Sequence, residues 1–175
     1  SALAEDDSEI VGLAPGRDVA ATLAALERLG LRRSDSRFTP IRIPTDPGTP
    51  VDCGNSGTTM RQLAGGLASL PFRLTLTGVE SLSTRPLGRL VPPLAALGVD
   101  LALSAAGTAP ITTGAAHLQG ADAAIDVASA QVRSAFELAA IQADGPSTID
   151  GPGGFRDHTE RWLAAFGLAE SDGTR

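Results

Sequence analysis

Lysine is missing from this sequence, and its absence rules out several kinds of chemistry for the residues present. All 14 basic residues among the 175 positions are arginines. Schiff-base catalysis, a lysine general base and the lysine of nucleotide-binding phosphate loops are therefore excluded. Cysteine and histidine are also scarce, at 1 and 2 residues. One cysteine cannot form an intramolecular disulfide or a cysteine-rich zinc site, and it fits a reducing, cytoplasmic setting.

Aromatic residues and positive charge are in short supply as well. Aromatics make up 3% of the chain and tyrosine is absent, so we expect a core of alanine, leucine and valine. A net charge of -6 argues against binding of nucleic acid or an anionic membrane by bulk electrostatics. No apolar run approaches the roughly 20 residues of a membrane span, and the acidic N-terminus is unlike a signal peptide. These features predict one soluble, cytoplasmic domain over 1–175, with neither nucleic acid nor membrane as a partner.

The 20 glycines and 12 prolines lie between periodic segments, which predicts many short elements joined by tight turns. Apolar residues at helical spacing predict five helices, over 17–29, 57–70, 86–98, 131–143 and 157–166. Short β-prone runs predict strands over 73–77, 100–104, 124–127 and 147–149. Ser129 is a candidate N-cap, and Pro92 and Pro93 should kink or restart the third helix. The fifth helix is expected to begin with a capping box and to turn Trp162, Leu163 and Phe166 inward.

Helices and strands alternate along the chain with a weak structural repeat of about seventy residues. This order favours a mixed α/β domain, assembled from similar βα units, over a sandwich or a bundle. The helices contain much alanine and leucine and few charged residues. We therefore expect them to be buried together inside the sheets.

Four turns share one design, in which small or polar residues, often beside an arginine, stand where a predicted helix begins. They lie at 54–61, 83–86, 129–131 and 155–158. A helix N-terminus offers free N–H donors and about half a positive charge, so it favours phosphate or carboxylate. Each turn alone is explained by an ordinary capped helix, but four together favour an anion site.

Two arginines strengthen this interpretation. Arg61 and Arg85 carry planar guanidinium groups suited to bidentate contacts with carboxylate or phosphate, although either is alternatively a solvated surface charge. Arg85 precedes Pro86, which is predicted to begin a helix, and a cation there opposes the helix dipole unless an anion shares the site. Arg85 is thus the more informative of the two.

Other chemistry-bearing residues are weaker candidates. Cys53 has no nearby histidine or base pattern and is predicted to be a small core residue. His158, in the first turn of a helix, is expected to be neutral and hydrogen-bonded, and His117 to face solvent. The acidic residues contain no spaced set typical of a metal cage.

The order of these motifs resembles that of the 5-enolpyruvylshikimate-3-phosphate synthase family. The segment GNSGTTMR at 54–61 is similar to the family's signature segment, and STRPLGRL at 83–90 resembles its second signature. The segments SAQ at 129–131 and RDHTER at 156–161 follow in the family's order. The resemblance extends over about 9–168, and the first two motifs are specific.

The resemblance implies both a fold and a reaction. The family's enzymes have two domains, each an inside-out, barrel-like α/β domain of three βαβαββ units with helices inside and sheets outside. They transfer the enolpyruvyl group of phosphoenolpyruvate to the 5-hydroxyl of shikimate 3-phosphate, with release of phosphate and without a metal or other cofactor. The resemblance therefore implies a role in aromatic amino-acid biosynthesis by the shikimate pathway.

The resemblance also assigns roles to residues, none of them catalytic in this lobe. It implies that Gly57 and Arg85 help hold phosphoenolpyruvate and that Gln131 lies between both substrates. The full set of implied substrate-binding residues is Asn55, Gly57, Thr58, Arg61, Arg85, Ser129, Ala130 and Gln131.

The chain departs from the family pattern at several points. Ala130 stands where the family has a second serine, so one hydroxyl to the phosphate is missing while the backbone N–H remains. Phe155 occupies a region where the family places serine or tyrosine, and it cannot donate a hydrogen bond. The family's N-terminal Lys-Ser segment and its second domain, with acid/base Asp, Glu and Lys, have no counterpart here. The sequence therefore predicts one lobe, inactive alone, whose partner is the missing second lobe.

Two alternatives stay open at this point. One is the related enolpyruvyl transferase that acts on UDP-N-acetylglucosamine, although its reactive-cysteine loop is not found and Cys53 lies in another context. The other is a non-catalytic anion-binding module with the same fold. Ala130 and Phe155 favour the second alternative.

Overall fold

The computed structural model describes residues 2–114, 117–126, 128–153 and 156–170. The described helices are α1 (Arg17–Arg28), α2 (Gly57–Gly66), α3 (Glu80–Ser83), α4 (Val91–Ala96), α5 (Ala130–Ala140) and α6 (His158–Ala165). The described strands are β1 (Ser8–Glu9), β2 (Arg32–Ser34), β3 (Arg37–Thr39), β4 (Val51–Asp52), β5 (Arg73–Thr77), β6 (Ile111–Gly114), β7 (Asp122–Ala124) and β8 (Thr148–Asp150). A 3₁₀ turn, Gly88–Leu90, leads directly into α4.

The described strands form three small sheets rather than one continuous sheet. The first is antiparallel, with β3 between β1 and β2. In the second, β5 pairs parallel with β4 and antiparallel with β6. In the third, β7 and β8 pair in parallel. Because parallel neighbours need a crossover, each parallel pair encloses a helix, α2 in one case and α5 in the other.

These two crossovers are the repeated units that the sequence predicts. The units β4–α2–β5 and β7–α5–β8 recur in the same order along the chain, and their helices pack directly on each other. A Cβ atom on Gly65 of α2 would collide with the carbonyl oxygen of Ala135 in α5. Both helices are buried, with Met60 and Ala64 of α2 and Ala135 and Phe136 of α5 fully enclosed. In this pair the helices lie inside and the short sheets outside, as predicted, whereas α1 and α6 each have one buried residue, Ala25 and Leu163.

Several element boundaries differ from the predictions. The run 100–104 forms no strand, only an isolated bridge from Ala102 to Thr112, and the antiparallel partner of β5 is β6 instead. The predicted helix at 86–98 begins at Gly88 as a 3₁₀ turn and continues as α4, so the restart occurs just before Pro92. β7 lies two residues earlier than predicted, and Val127 is outside the described residues. The prolines lack N–H donors, and a helix restarted there keeps Pro92 and Pro93 in its first turn.

The prediction for α6 is wrong in two respects. The side chain of Asp157 makes no capping hydrogen bond, so there is no capping box. Trp162 and Phe166 are 60% and 64% exposed, and only Leu163 is buried. The two aromatic rings instead pack on each other, with centroids 4.8 Å apart. Within the described ranges, no helix is long and apolar enough to cross a membrane.

Candidate functional site

The N-terminus of α2 is shaped by a capped turn. Ser56 is the N-cap, and its Oγ accepts a hydrogen bond of 3.1 Å from the backbone N–H of Thr59. Gly54 adopts a positive φ of 59°, which glycine tolerates better than other residues. The Ser56 oxygen satisfies one helix N–H, and the remaining N–H groups of the first turn are the ones suited to an anion.

Arg85 reaches this turn from the other side. Its Nη2 donates to Asn55 Oδ1 at 2.9 Å, and its Nε donates to the carbonyl oxygen of Ser81 at 3.3 Å. Ser81 Oγ also donates to Asn55 Oδ1, at 3.0 Å. The first and second motifs, separate in sequence, therefore meet through the Asn55 side chain.

The predicted position of Arg85 at the start of a helix is wrong. Because no helix begins at Pro86, Arg85 does not oppose a helix N-terminus. Its backbone N–H instead donates to Leu82 O at 3.0 Å, so Arg85 lies just beyond the C-terminal end of α3. A cation near that end is compatible with the helix dipole.

Arg61 lies in the first turns of α2 and faces the same N-terminal turn as Arg85. Its Nη1 donates to the carbonyl oxygen of Gly57 at 3.2 Å, and its Nη2 to that of Pro86 at 3.3 Å. The pKa of Arg61 is lowered, first by burial and then by the positive charges of Arg85 and Arg89. We call Arg61, Arg85 and Arg89 the arginine cluster.

No carboxylate in the described part of the chain forms an ion pair with the arginine cluster. The positive charges of Arg85 and Arg89 both lower the pKa of Arg61, and like charges held this close are favoured when an anion is shared among them. The side chains of Arg61 and Arg85 both lie close to Gly57. A Cβ there would lie 2.5 Å from Arg61 Nη1 and 3.3 Å from Arg85 Nη1, so a side chain would take space that an anion needs.

The third motif begins α5. Ser129 is its N-cap, as predicted, and its Oγ accepts from Val132 N at 3.4 Å. Gln131 Nε2 donates to Thr58 Oγ1 at 2.8 Å, which ties the first turn of α5 to the first turn of α2. Ala130 is the first helical residue and contributes only its backbone to this turn.

The predicted residues therefore gather in two connected groups. The first group consists of Asn55, Gly57, Arg61 and Arg85, and the second of Ser129, Ala130 and Gln131. Thr58 lies between the two groups. Phe155, in the fourth turn, lies outside the described residues.

Sequence reasoning missed two residues of the site. Arg89 stands four positions after Arg85, and its charge acts on Arg61. Ser81 holds Asn55, and only a helix prediction at 80–83 would have revealed it. The signal for Arg89 was present in the second motif, where an arginine recurs four positions after Arg85.

The weaker candidates stay outside the site. Cys53 is buried, and burial, with a smaller effect of Asp52, raises the pKa of its thiol to about 12, which leaves it unreactive. His117 is largely exposed, as predicted, although it lies 3.2 Å from Asp144. Among the described residues, no group of three or more His, Cys, Asp or Glu side chains is placed to hold a metal ion.

Comparisons with known proteins all point to one enzyme family. The family model described as EPSP synthase (3-phosphoshikimate 1-carboxyvinyltransferase) matches residues 1–173. A 3-phosphoshikimate 1-carboxyvinyltransferase of Acidithiobacillus ferrooxidans is 45% identical over 173 residues, which cover 95% of this chain and 40% of the relative. The enzyme of the same name from Methylococcus capsulatus is 42% identical over 182 residues, covering 99% of this chain and 42% of the relative.

A solved structure agrees with the sequence matches. The EPSP synthase of Acinetobacter baumannii superposes with a TM-score of 0.88 at 35% identity, over 98% of this chain and 41% of that one. The chain thus spans about 40% of the length of the curated relatives it matches. From its motifs, its fold and these matches, the chain belongs to the EPSP synthase family.

Proposed function

We propose that this chain is the shikimate-3-phosphate-binding lobe of an enolpyruvyl transferase and contributes part of the phosphoenolpyruvate site. The observation that carries this proposal is the arginine cluster beside the α2 N-terminus, which lacks a carboxylate partner among the described residues. Both substrates are anions, so this is where their charge is best compensated.

Each of the two groups of residues suits a different substrate. Arg61, Arg85 and the backbone of Gly57 suit the phosphate and carboxylate of phosphoenolpyruvate. Ser129, the Ala130 N–H and Gln131 suit the phosphate of shikimate 3-phosphate, because they present donors at the start of α5. The contact from Gln131 to Thr58 would keep the two substrates adjacent.

The chemical step is assigned to groups outside this lobe. No residue of the two groups is a general acid or base at neutral pH, because the arginines stay protonated and the others do not ionise. We therefore propose that a second lobe supplies the acid and base that transfer the enolpyruvyl group and release phosphate. The predicted cytoplasmic location stays a prediction.

Ligand binding is tested by titrating the ¹⁵N-labelled chain with shikimate 3-phosphate to millimolar concentration. We expect amide shifts at Thr58, Ser129 and Gln131, and much smaller shifts with shikimate, which lacks the phosphate. The same titration of the Gln131→Ala variant, which lacks one of the proposed donors, is the matched control. A folded sample in which these signals do not move would overturn the proposal.

The non-catalytic alternative rests on Ala130, which removes a hydroxyl from the phosphate-binding turn. A turnover assay separates it from the leading proposal. The chain is mixed with a second lobe from a related synthase, phosphoenolpyruvate and shikimate 3-phosphate, and phosphate release is followed. Release that needs both lobes supports the transferase, whereas binding without any release supports the anion-binding module.

A further inference from the structure

A polar cluster lies beneath the first turns of α5, on the side where this helix meets β8 and α6. At its centre is Arg133, whose residue is only 5% exposed. Its Nη1 donates to the carbonyl oxygen of Ile149 in β8 at 3.2 Å. Its Nε lies 3.7 Å from Glu160 Oε1 in α6, and the Glu160 side chain is itself 18% exposed. One buried guanidinium therefore joins three elements.

A second contact connects the same two helices. Ser134 Oγ and Thr159 Oγ1 are 2.7 Å apart, next in sequence to Arg133 and Glu160 respectively. Two adjacent residues of α5 thus meet two adjacent residues of α6, which fixes the rotation of α5 about its axis as well as its position.

This cluster is close in sequence to the substrate-binding turn. Arg133 follows Gln131 by two residues, and its backbone N–H donates to Ser129 O at 3.1 Å. The first turn of α5 is therefore held on one side by Thr58, through Gln131, and on the other by Ile149 and Glu160, through Arg133. Truncating this buried cation would leave the Ile149 carbonyl without its donor and the Glu160 carboxylate without its ion-pair partner, so the turn would lose this support.

We propose that Arg133 is a positioning residue, which through Ile149 and Glu160 holds Ser129–Gln131 in the orientation that binds the phosphate of shikimate 3-phosphate. The identity of the ligand in this inference rests on the proposed function, whereas the contacts of Arg133 are observed in the structure. Arg133 itself touches no substrate in this scheme. It acts by fixing the direction of the Gln131 side chain toward Thr58.

The test compares variants of two glutamates, Glu160 and Glu137, whose charges both act on or near Arg133. Glu160→Gln removes the charge that pairs with Arg133 from α6, while Glu137→Gln changes a carboxyl on α5 itself and leaves the ion pair between Arg133 and Glu160 in place. The readout is the side-chain amide signal of Gln131 in ¹H–¹⁵N spectra recorded without ligand, followed by the Kd for shikimate 3-phosphate. Arg133→Met and Arg133→Lys complete the set, because lysine restores the charge without the planar fork.

We expect Glu160→Gln and Arg133→Met to move the Gln131 signal and weaken binding by about threefold to tenfold, with partial rescue by Arg133→Lys. Glu137→Gln should leave the Gln131 signal in place. The proposal is overturned if Gln131 does not move in Glu160→Gln, or if Glu137→Gln moves it equally. If Arg133→Met fails to fold, Glu160→Gln alone decides. If the spectrum of the wild type did not change on addition of shikimate 3-phosphate, the proposed function would be refuted. The Gln131 signal recorded without ligand would still test the role of Arg133.

Discussion

Arg85 differs from an ordinary surface arginine because its described partners are neutral oxygens. It donates to Asn55 Oδ1 and to the Ser81 carbonyl, and both contacts orient the guanidinium without neutralising it. Unsatisfied positive charge held in a fixed direction is the property that makes a planar fork effective for anions.

We predict that Arg85→Ala weakens phosphoenolpyruvate binding by a factor of about ten to one hundred, since charged hydrogen bonds contribute about 1.5 to 3 kcal/mol. The measurement is a fluorescence or calorimetric titration in a two-lobe enzyme that contains this chain. Arg32→Ala, on the exposed face of β2, removes the same charge and serves as the control. Equal loss in both variants would contradict a specific role for Arg85.

Glu137 carries a different prediction, based on its protonation. Burial raises the pKa of its carboxyl to about 7, the negative charge of Glu160 adds to the rise, and Arg133 opposes it. The ordinary value is 4.5. The folded state therefore binds a proton between these values that the unfolded state has already released, so the contribution of Glu137 to stability is greatest below pH 4.5 and is lost as pH rises through 7.

We expect Glu137→Gln to remove this part of the pH dependence. Between pH 5 and pH 8 the free energy of unfolding of the variant should fall by about 2 kcal/mol less than that of the wild type. Urea unfolding at several pH values measures it. Glu80→Gln, at an exposed position in α3, is the control and should keep the wild-type slope. Parallel slopes for wild type and Glu137→Gln would contradict the raised pKa.

Among the elements, α2 and α5 define the fold because their backbones approach most closely at Gly65. A methyl group there would meet the Ala135 carbonyl, which belongs to a helix backbone and cannot rotate away. At Gly66, the next residue, the nearest atoms to a Cβ are those of Leu138 at 3.8 Å, an ordinary contact.

These two neighbours make a matched pair of variants. Gly65→Ala should lower the free energy of unfolding by about 3 kcal/mol, because the helices must separate. Gly66→Ala should raise it by about 0.5 to 1 kcal/mol, because alanine is the better helix former and fits. Thermal or urea unfolding measures both. If the two variants changed stability alike, the close approach of α2 to α5 would be refuted.

Elements whose signal lies within one segment could be predicted from the sequence. The strand β5 has the predicted bounds, and α1 ends one residue early, because alternation or helical spacing is complete inside each. The strands β4 and β6 could not be predicted, since Val51–Asp52 has two residues and Ile111–Gly114 ends in glycine. Both exist through their pairing with β5, and pairing between distant segments leaves no local pattern.

For the molecule as a whole, the same distinction separates the motifs proposed to bind substrate from the residues that support them. Asn55, Arg85 and Gln131 belong to recognisable segments, and the structure joins them by hydrogen bonds. The pair Arg133 and Glu160 could not be predicted, because its members lie in different helices and each is typical of a solvated helix face. Only the folded arrangement buries them together.

Ligand binding should therefore be visible as a change in the stability of the entire chain. A ligand that binds only the folded state at one hundred times its Kd stabilises it by about 2.7 kcal/mol, which for a chain of this size raises Tm by about 5 to 10 °C. We predict this rise with shikimate 3-phosphate, in one cooperative transition, because α5 links the binding turn to α2, β8 and α6. Shikimate at the same concentration is the control and should leave Tm almost unchanged. Two separate transitions, of which only one responded to the ligand, would show that the turn is not coupled to the rest of the chain.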